Sequence, residues 1–145
     1  MKKIKEKKLK KGQIVVAGKR KEAIAKATIK PGQGKVVINK RPIELFNQFQ
    51  QLELQEPFVI ARPILSNDLK AVDIEVNVKG GGVQGQIEAS RLAIARALLA
   101  YFKKPELKKA FLSYDRALLV ADTRRKEMRK PNDSKARAAR QKSYR

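Results

Sequence analysis

The sequence predicts an α+β domain, helices packed on one face of a mixed sheet, with a basic tail at each end. Three observations predict it. Val72, Ile74, Val76 and Val78 alternate with Asp73, Glu75, Asn77 and Lys79, the two-residue period of a strand with one buried face. From Gln86 to about Phe102 the period becomes helical, with Leu92, Ala95, Leu98, Leu99 and Phe102 on one stripe. Charge is also unevenly placed: residues 1–11 hold seven lysines and one glutamate, and residues 124–145 hold ten Lys/Arg and two acids. Like-charged blocks repel themselves, so 1–11 and 124–145 read as tails around a globular region, 12–123. Strands interleaved with helices in 145 residues fit one two-layer domain.

Taken in order, residues 14–17 read as a short strand ending at Gly18, and residues 23–30 as a second strand. Pro31-Gly32-Gln33-Gly34 is a turn, and residues 35–39 return as a strand, which predicts a hairpin. Pro42 fits the first position of a helix, behind which Leu45, Phe46, Phe49 and Leu52 recur at helical spacing. Pro57 and Pro63 break up the next stretch, leaving one short helix. The triple glycine at residues 80–82 ends the alternating strand. Pro105 opens a last helix that buries Leu107, Phe111 and Tyr114.

Composition bounds the function. Lys and Arg number 35 against 14 Asp and Glu, a formal charge of +21. Such self-repulsion adds nothing to folding stability, and a polyanion, RNA above all, is the partner that makes it tolerable. Hydrophobic residues are 42% of the chain, enough for a real core. The chain has no Cys, which excludes disulfides and thiolate chemistry, and no His, which removes the usual general base and the commonest metal ligand. No cofactor, metal or small-molecule substrate is expected. No apolar run approaches the roughly 20 residues of a membrane span, and residues 14–17 are too short for a signal sequence, so the chain reads as soluble and intracellular.

Four motifs carry possible chemistry. Gly80-Gly81-Gly82-Val83-Gln84-Gly85 matches the G-x-G-x-x-G pattern of dinucleotide sites, and Glu106 lies where a ribose-binding acid belongs. That acid should close a second parallel strand, yet its surroundings read as helix; no Gly-Lys-Ser/Thr follows for a P-loop. The loop is instead a tight turn, or a set of free amides at a helix start suited to an RNA phosphate, with Lys79 and Arg91 beside it. Gly18-Lys19-Arg20-Lys21 reads as a basic turn that presents three cations to RNA. Asp73 and Glu75 share a strand face, where pairing with Lys or Arg is expected rather than catalysis. Asp122-Thr123-Arg124-Arg125 opens the tail, where Asp122 either caps a helix or steers an arginine. Beyond it, Lys126, Arg129 and Lys130 add cations, and Lys135, Arg137, Arg140, Lys142 and Arg145 are spaced by small residues such as Ala136, Ala138 and Ala139, so an extended chain can thread between RNA helices with its arginines on phosphates. Tyr144 could stack on a base.

Together these segments resemble the universal small-subunit ribosomal protein nine family in its archaeal/eukaryotic form. The stretches that carry the resemblance are Gly18-Lys19-Arg20-Lys21-Glu22-Ala23, Val78-Lys79-Gly80-Gly81-Gly82, Gly85-Gln86-Ile87-Glu88-Ala89 with Arg91, and Ala95-Arg96-Ala97-Leu98. Asp122-Thr123-Arg124-Arg125 and the final run from Ala136 to Arg145 complete it; residues 1–11 lie outside it. The resemblance implies a fold like the second domain of small-subunit protein five, with a left-handed βαβ crossover. It also implies a place in the head of the small subunit in the cytoplasm, bound to small-subunit rRNA and beside other head proteins. Its tail would reach tRNA in the peptidyl site through Lys142, Tyr144 and Arg145. The rRNA contacts would fall to Lys19, Arg20, Lys21, Lys79, Gly80, Gly81, Gly82, Arg91 and the tail cations. A freestanding RNA chaperone is the nearest alternative, and a phosphate-ester enzyme built on the glycine loop is the third.

Overall fold

The computed structural model describes residues 12–132, 135–139, 141 and 143. Strands β1 (Ile14–Arg20), β2 (Ala23–Pro31), β3 (Val36–Ile38), β4 (Arg41–Pro42) and β5 (Val72–Lys79) form one sheet in the order β1-β2-β5-β3-β4. Only β3 and β5 run parallel; the other neighbours are antiparallel. Three helices, α1 (Gln48–Leu65), α2 (Val83–Phe102) and α3 (Pro105–Tyr114), complete the α+β fold. The parallel pair is joined through α1, a βαβ crossover. Among the described residues no helix is long and apolar enough to cross a membrane.

The alternating segment takes the centre of the sheet. Val72, Ile74, Val76 and Val78 are buried against the helices, beside Ala23, Ala25, Ala27 and Ile29 of β2. Helix α2 lies over β1, β2 and β5, and α1 packs on α2 and α3. The alanines let the helix approach closely. Gly18 takes this furthest: a Cβ there would sit 2.3 Å from the Ala89 carbonyl oxygen and 2.7 Å from the Ala93 nitrogen, both backbone atoms of α2. Gly18 therefore does not end a strand, as the sequence predicts. It lies inside β1, which continues to Arg20 because only glycine fits under the helix there.

The expected hairpin of residues 23–39 is not formed. β5 lies between its two arms, paired with β2 from Ile24↔Lys79 to Pro31↔Val72 and with β3 from Val36↔Ile74 to Ile38↔Val76. β5 buries four bulky side chains, where β2 buries three alanines and Ile29, so it gains most from two hydrogen-bonded edges, and a local hairpin would exclude it from the centre. Asp73 holds the intervening loop, accepting hydrogen bonds from the backbone N–H groups of Gln33 (2.8 Å) and Lys35 (3.0 Å). Its carboxylate thus serves backbone amides rather than a Lys or Arg side chain.

Those amides, Lys35 first and then Gln33, hold the Asp73 carboxyl below the usual carboxylate range, with the charges of Lys30 and Lys35 assisting. A depressed folded pKa stabilises the fold above the unfolded value, about 3.9. That stabilisation is lost as pH falls through the lower, folded value. Asp73→Asn is therefore expected to be less stable than the parent at neutral pH. The difference should shrink as acid protonates the parent carboxylate; urea midpoints from pH 7 to pH 2 measure it, and a pH-independent gap would exclude this origin.

Helix α1 departs most from expectation. Pro42 lies in β4, and the helix begins only after Asn47, whose N–H donates to the Gln50 side chain at 3.4 Å. It then runs 18 residues through both Pro57 and Pro63. Each interior proline removes a backbone bond and costs about 3 kcal/mol in an isolated helix. Packing outweighs this: Leu54, Pro57, Ala61 and Leu65 are all buried on one face, with the Pro57 ring itself in the core. Leu45, Phe49 and Leu52, three of the four residues read as the buried stripe, are exposed instead. Tyr114 is likewise 62% exposed, while Leu107 and Phe111 of α3 are buried as the spacing predicts.

Candidate nucleic-acid interface

The side of the sheet away from the helices is open. Alternation on β2 and β5 turns Ile24, Lys26, Lys30, Glu75, Asn77 and Lys79 outward, all exposed. Register gathers the cations: Lys19, Ile24 and Lys79 occupy one cross-strand row, and Ala17, Lys26 and Asn77 the row two residues along. Side chains in such rows stand about 5 Å apart per strand. Lys19, Lys26 and Lys79 therefore form one basic patch. Lys26 has no place in a local motif, and only the β1–β2–β5 register identifies it.

The turn at the patch's edge is shorter than the sequence implies. Pairing continues to Arg20↔Ala23, leaving Lys21 and Glu22 as the two-residue loop, with Lys21 at φ +51°. Against it rests the glycine loop. Gly80 has φ +79°, and a Cβ there would lie 2.6 Å from the Glu22 carbonyl oxygen. Gly82 is the N-cap of α2, provides no side-chain cap, and has nothing within 4 Å of an added Cβ. A cleft of about 440 Å³ lies beside the first turn of α2, with Arg20, Lys21, Glu22 and Glu88 on its wall. Glu106 sits in the first turn of α3 and not at the end of a parallel strand, so the dinucleotide pattern lacks its acid.

This geometry separates two glycines. Gly82→Asp is expected to leave stability within a few tenths of a kcal/mol, since Asp is at least as good an N-cap as Gly. Its charge, however, would face any phosphate at the helix start, and RNA affinity should fall about tenfold or more. Urea unfolding and filter binding on the same preparation test this; unchanged RNA affinity would leave the loop as a turn alone.

Arg20 and Arg91, read from sequence as phosphate-binding cations, are engaged by carboxylates. Arg20 bridges Glu88 of α2 and Asp122, with the Arg20 and Asp122 side chains 22% and 20% exposed. Arg91 reaches Glu56 of α1 at 2.6 Å and Asp115 at 3.4 Å. The Tyr114 hydroxyl is also hydrogen-bonded to Glu56, which raises its pKa. These partners are 24 to 102 residues distant in sequence, beyond the reach of any local motif.

Asp122 steers arginines rather than capping a helix. It accepts from the Arg124 backbone N–H at 2.8 Å and from Arg124 Nε at 2.9 Å, while the Arg125 guanidinium donates to the Asp122 carbonyl at 2.6 Å. Just before it, Arg96 of α2 donates to the carbonyls of Leu119 (2.8 Å) and Ala17 (2.9 Å), tying the chain leading to Asp122 to β1. Arg20 and Glu88 line both the glycine-loop cleft and a second cleft, about 590 Å³, that contains Lys19, Asp122 and Arg124. The root of the tail, the hairpin turn and the glycine loop are therefore one continuous surface.

Along the tail, Arg124, Arg125, Lys126, Arg129, Lys130, Lys135 and Arg137 are exposed. Arg137 makes a forked pair with Glu127 (2.9 and 2.6 Å), which lowers the Glu127 pKa. A pair this exposed contributes little and yields readily to a phosphate. Arg140, Lys142, Tyr144 and Arg145, and the whole of residues 1–11, lie outside the described residues.

Comparison with known proteins fits this arrangement. The pattern of the family described as ribosomal protein S9/S16 matches residues 18–145. The chain belongs to this family. The small ribosomal subunit protein uS9 of Methanococcus maripaludis (strain C7) is 49% identical over 135 residues, covering 91% of this chain and 98% of that protein. Its counterpart in Methanococcus vannielii is 48% identical with the same coverage. The S9/S16 match opens at Gly18, the residue pressed under α2, and includes every cation and glycine of the surface just described.

Proposed function

We propose that this chain is a structural constituent of the small ribosomal subunit, acting in translation within the ribosome of the cytoplasm. The family and its 48–49% identical relatives, named as small-subunit proteins, support that reading. Its body binds small-subunit rRNA in the head, beside other head proteins. Lys19, Lys21, Lys26 and Lys79 meet phosphates as point charges, and the amides beginning at Gly82 receive another phosphate at the start of α2. Gly80 and Gly81 shape that loop. Arg20 and Arg91 act mainly by fixing the frame, each held between two carboxylates.

The observation that carries this reading is the shared surface of hairpin turn, glycine loop and tail root. The tail cations leave from that surface, so body and tail can follow one RNA path. Arg124, Arg125, Lys126, Arg129, Lys130, Lys135, Arg137 and Arg140 anchor the path. Lys142, Tyr144 and Arg145 reach the backbone of tRNA in the peptidyl site. A catalytic step has no part in this role.

Residues 124–145 could span at most about 70 Å, so the end can work far from the body, and the cations before it suffice for anchoring. Removing Ser143–Arg145 is expected to leave the protein in small subunits at high salt while accelerating tRNA release from the peptidyl site. Arg145→Ala alone should have a smaller effect, about 1–3 kcal/mol. The measurement is tRNA dissociation from programmed subunits at matched protein occupancy. Unchanged dissociation would confine the tail to rRNA, and absence from subunits would overturn the ribosomal assignment.

A further inference from the structure

The outward face of α1 stands apart among the described residues. Residues 42–61 contain no Lys or Arg in a chain that has 35, but contain three glutamates, Glu44, Glu53 and Glu56. At the average spacing of cations, a segment that long would hold about five. Within it lie four large exposed apolar side chains: Leu45 (72% exposed), Phe49 (81%), Leu52 (59%) and Val59 (59%). On α1 itself, Phe49, Leu52 and Val59 follow i, i+3 and i+10 spacing, which places them on one face. That face is opposite the buried row of Leu54, Pro57, Ala61 and Leu65. Leu45 lies in the short turn of 3₁₀ helix that precedes it.

We infer that this face of α1 is a docking surface for a basic protein neighbour in the small subunit, not for RNA. The inference rests on the ribosomal reading above and adds the partner of a surface that the reading leaves unassigned. A surface built to meet phosphates gathers cations, as the open sheet and tail do; this one excludes them over about four helical turns, from residue 48 until Arg62. Leu45, Phe49, Leu52 and Val59 are a cluster of exposed large apolar side chains rather than single scattered ones. The aromatic Phe49 flanked by Leu45 and Leu52 has the composition of an interface centre. Its polar rim contains Gln48, Gln55 and Glu44. The Glu44 carboxylate has no ion pair among the described residues, and Glu53 accepts only from the neutral Gln84 amide. Both carboxylates therefore remain available to lysines or arginines of a partner. The sign of that rim selects a cationic polypeptide and disfavours nucleic acid.

The test uses the full chain with a photoreactive benzoylphenylalanine in place of Leu52, assembled into small subunits, and a matched probe at Lys26 on the open sheet. After irradiation, the Leu52 adduct should resist nuclease and contain a basic peptide of another small-subunit protein. The Lys26 adduct should be nuclease-sensitive. Val59→Asp in the Leu52-probe chain should reduce the protein adduct about tenfold or more, with uptake into subunits unchanged. The exposed position of Val59 makes that variant compatible with the fold. A Leu52 adduct to rRNA, to residues 1–11 of the same chain or to a second copy would overturn the inference, as would no adduct in assembled particles. Failure of both probe chains to enter subunits at all would instead strike the ribosomal reading.

Discussion

Gly18→Ala should destabilise the protein by about 3 kcal/mol or more, a large part of the 5–15 kcal/mol that holds a typical domain. The added methyl would meet the Ala89 oxygen at 2.3 Å and the Ala93 nitrogen at 2.7 Å. Both are backbone atoms of a helix whose Ala89, Ala93 and Ala97 side chains are fully buried. No rotamer change relieves the clash, so α2 must lift from β1. That movement would open the row beneath it, Ala25 and Ala27 included. It would also shift Glu88, and with it the pair that holds Arg20 and the root of the tail. Urea unfolding followed by circular dichroism measures the loss, with Lys19→Ala as the adjacent exposed control, expected within about 0.5 kcal/mol. If Gly18→Ala matched that control, the close approach of helix and strand would not exist in solution.

Gly18 also illustrates what the sequence can and cannot convey. Read locally, a glycine after Val15, Val16 and Ala17 ends a strand; its actual role depends on a helix about 70 residues later. β5 and α2 were legible because a period of two or of 3.6 survives in one segment regardless of partners. Helix α3 was legible from Pro105 and its Leu107–Phe111 spacing. The sheet order was not, because pairing β2 with β5 rather than β3 is a choice between edges, and the local turn at 31–34 fits either. Helix α1 is hidden from a local reading for the opposite reason. Two prolines are a strong local signal, and burial of Leu54, Pro57, Ala61 and Leu65 outweighs them only once α2 and α3 are in place.

The candidate site divides in the same way. Lys19, Lys21, Lys79 and the glycines stand out in sequence as basic or small residues at element ends, and the fold brings them together. Arg20 and Arg91 have the same local appearance but different surroundings, since Glu88, Asp122, Glu56 and Asp115 approach from distant elements. Charge composition alone cannot separate a free cation from a pinned one. Carboxylates are few here, and four of the 14 are used on these two arginines.

That distinction gives the second large effect, in the salt dependence of RNA binding. A protein that neutralises about 6–10 phosphates should lose roughly 10³–10⁵ in affinity between 50 and 200 mM salt. Each phosphate contact removed should flatten the logarithmic slope by about 0.7–0.9. The triple variant Lys19→Gln, Lys26→Gln and Lys79→Gln removes three exposed charges from one face, and none of these lysines has an ion pair among the described residues. It should keep its fold and flatten the slope by about 2–3. Arg20→Gln should do the reverse. It leaves Glu88 and Asp122 without their shared cation, lowers stability and loosens the Asp122 anchor, yet changes the slope little because that guanidinium is already neutralised. Titrations of the small-subunit rRNA site at four salt concentrations, with unfolding measured in parallel, separate the two classes. A triple variant with the parental slope would mean that the open sheet does not face RNA, and the phosphate contacts would then belong to the glycine loop and the tail.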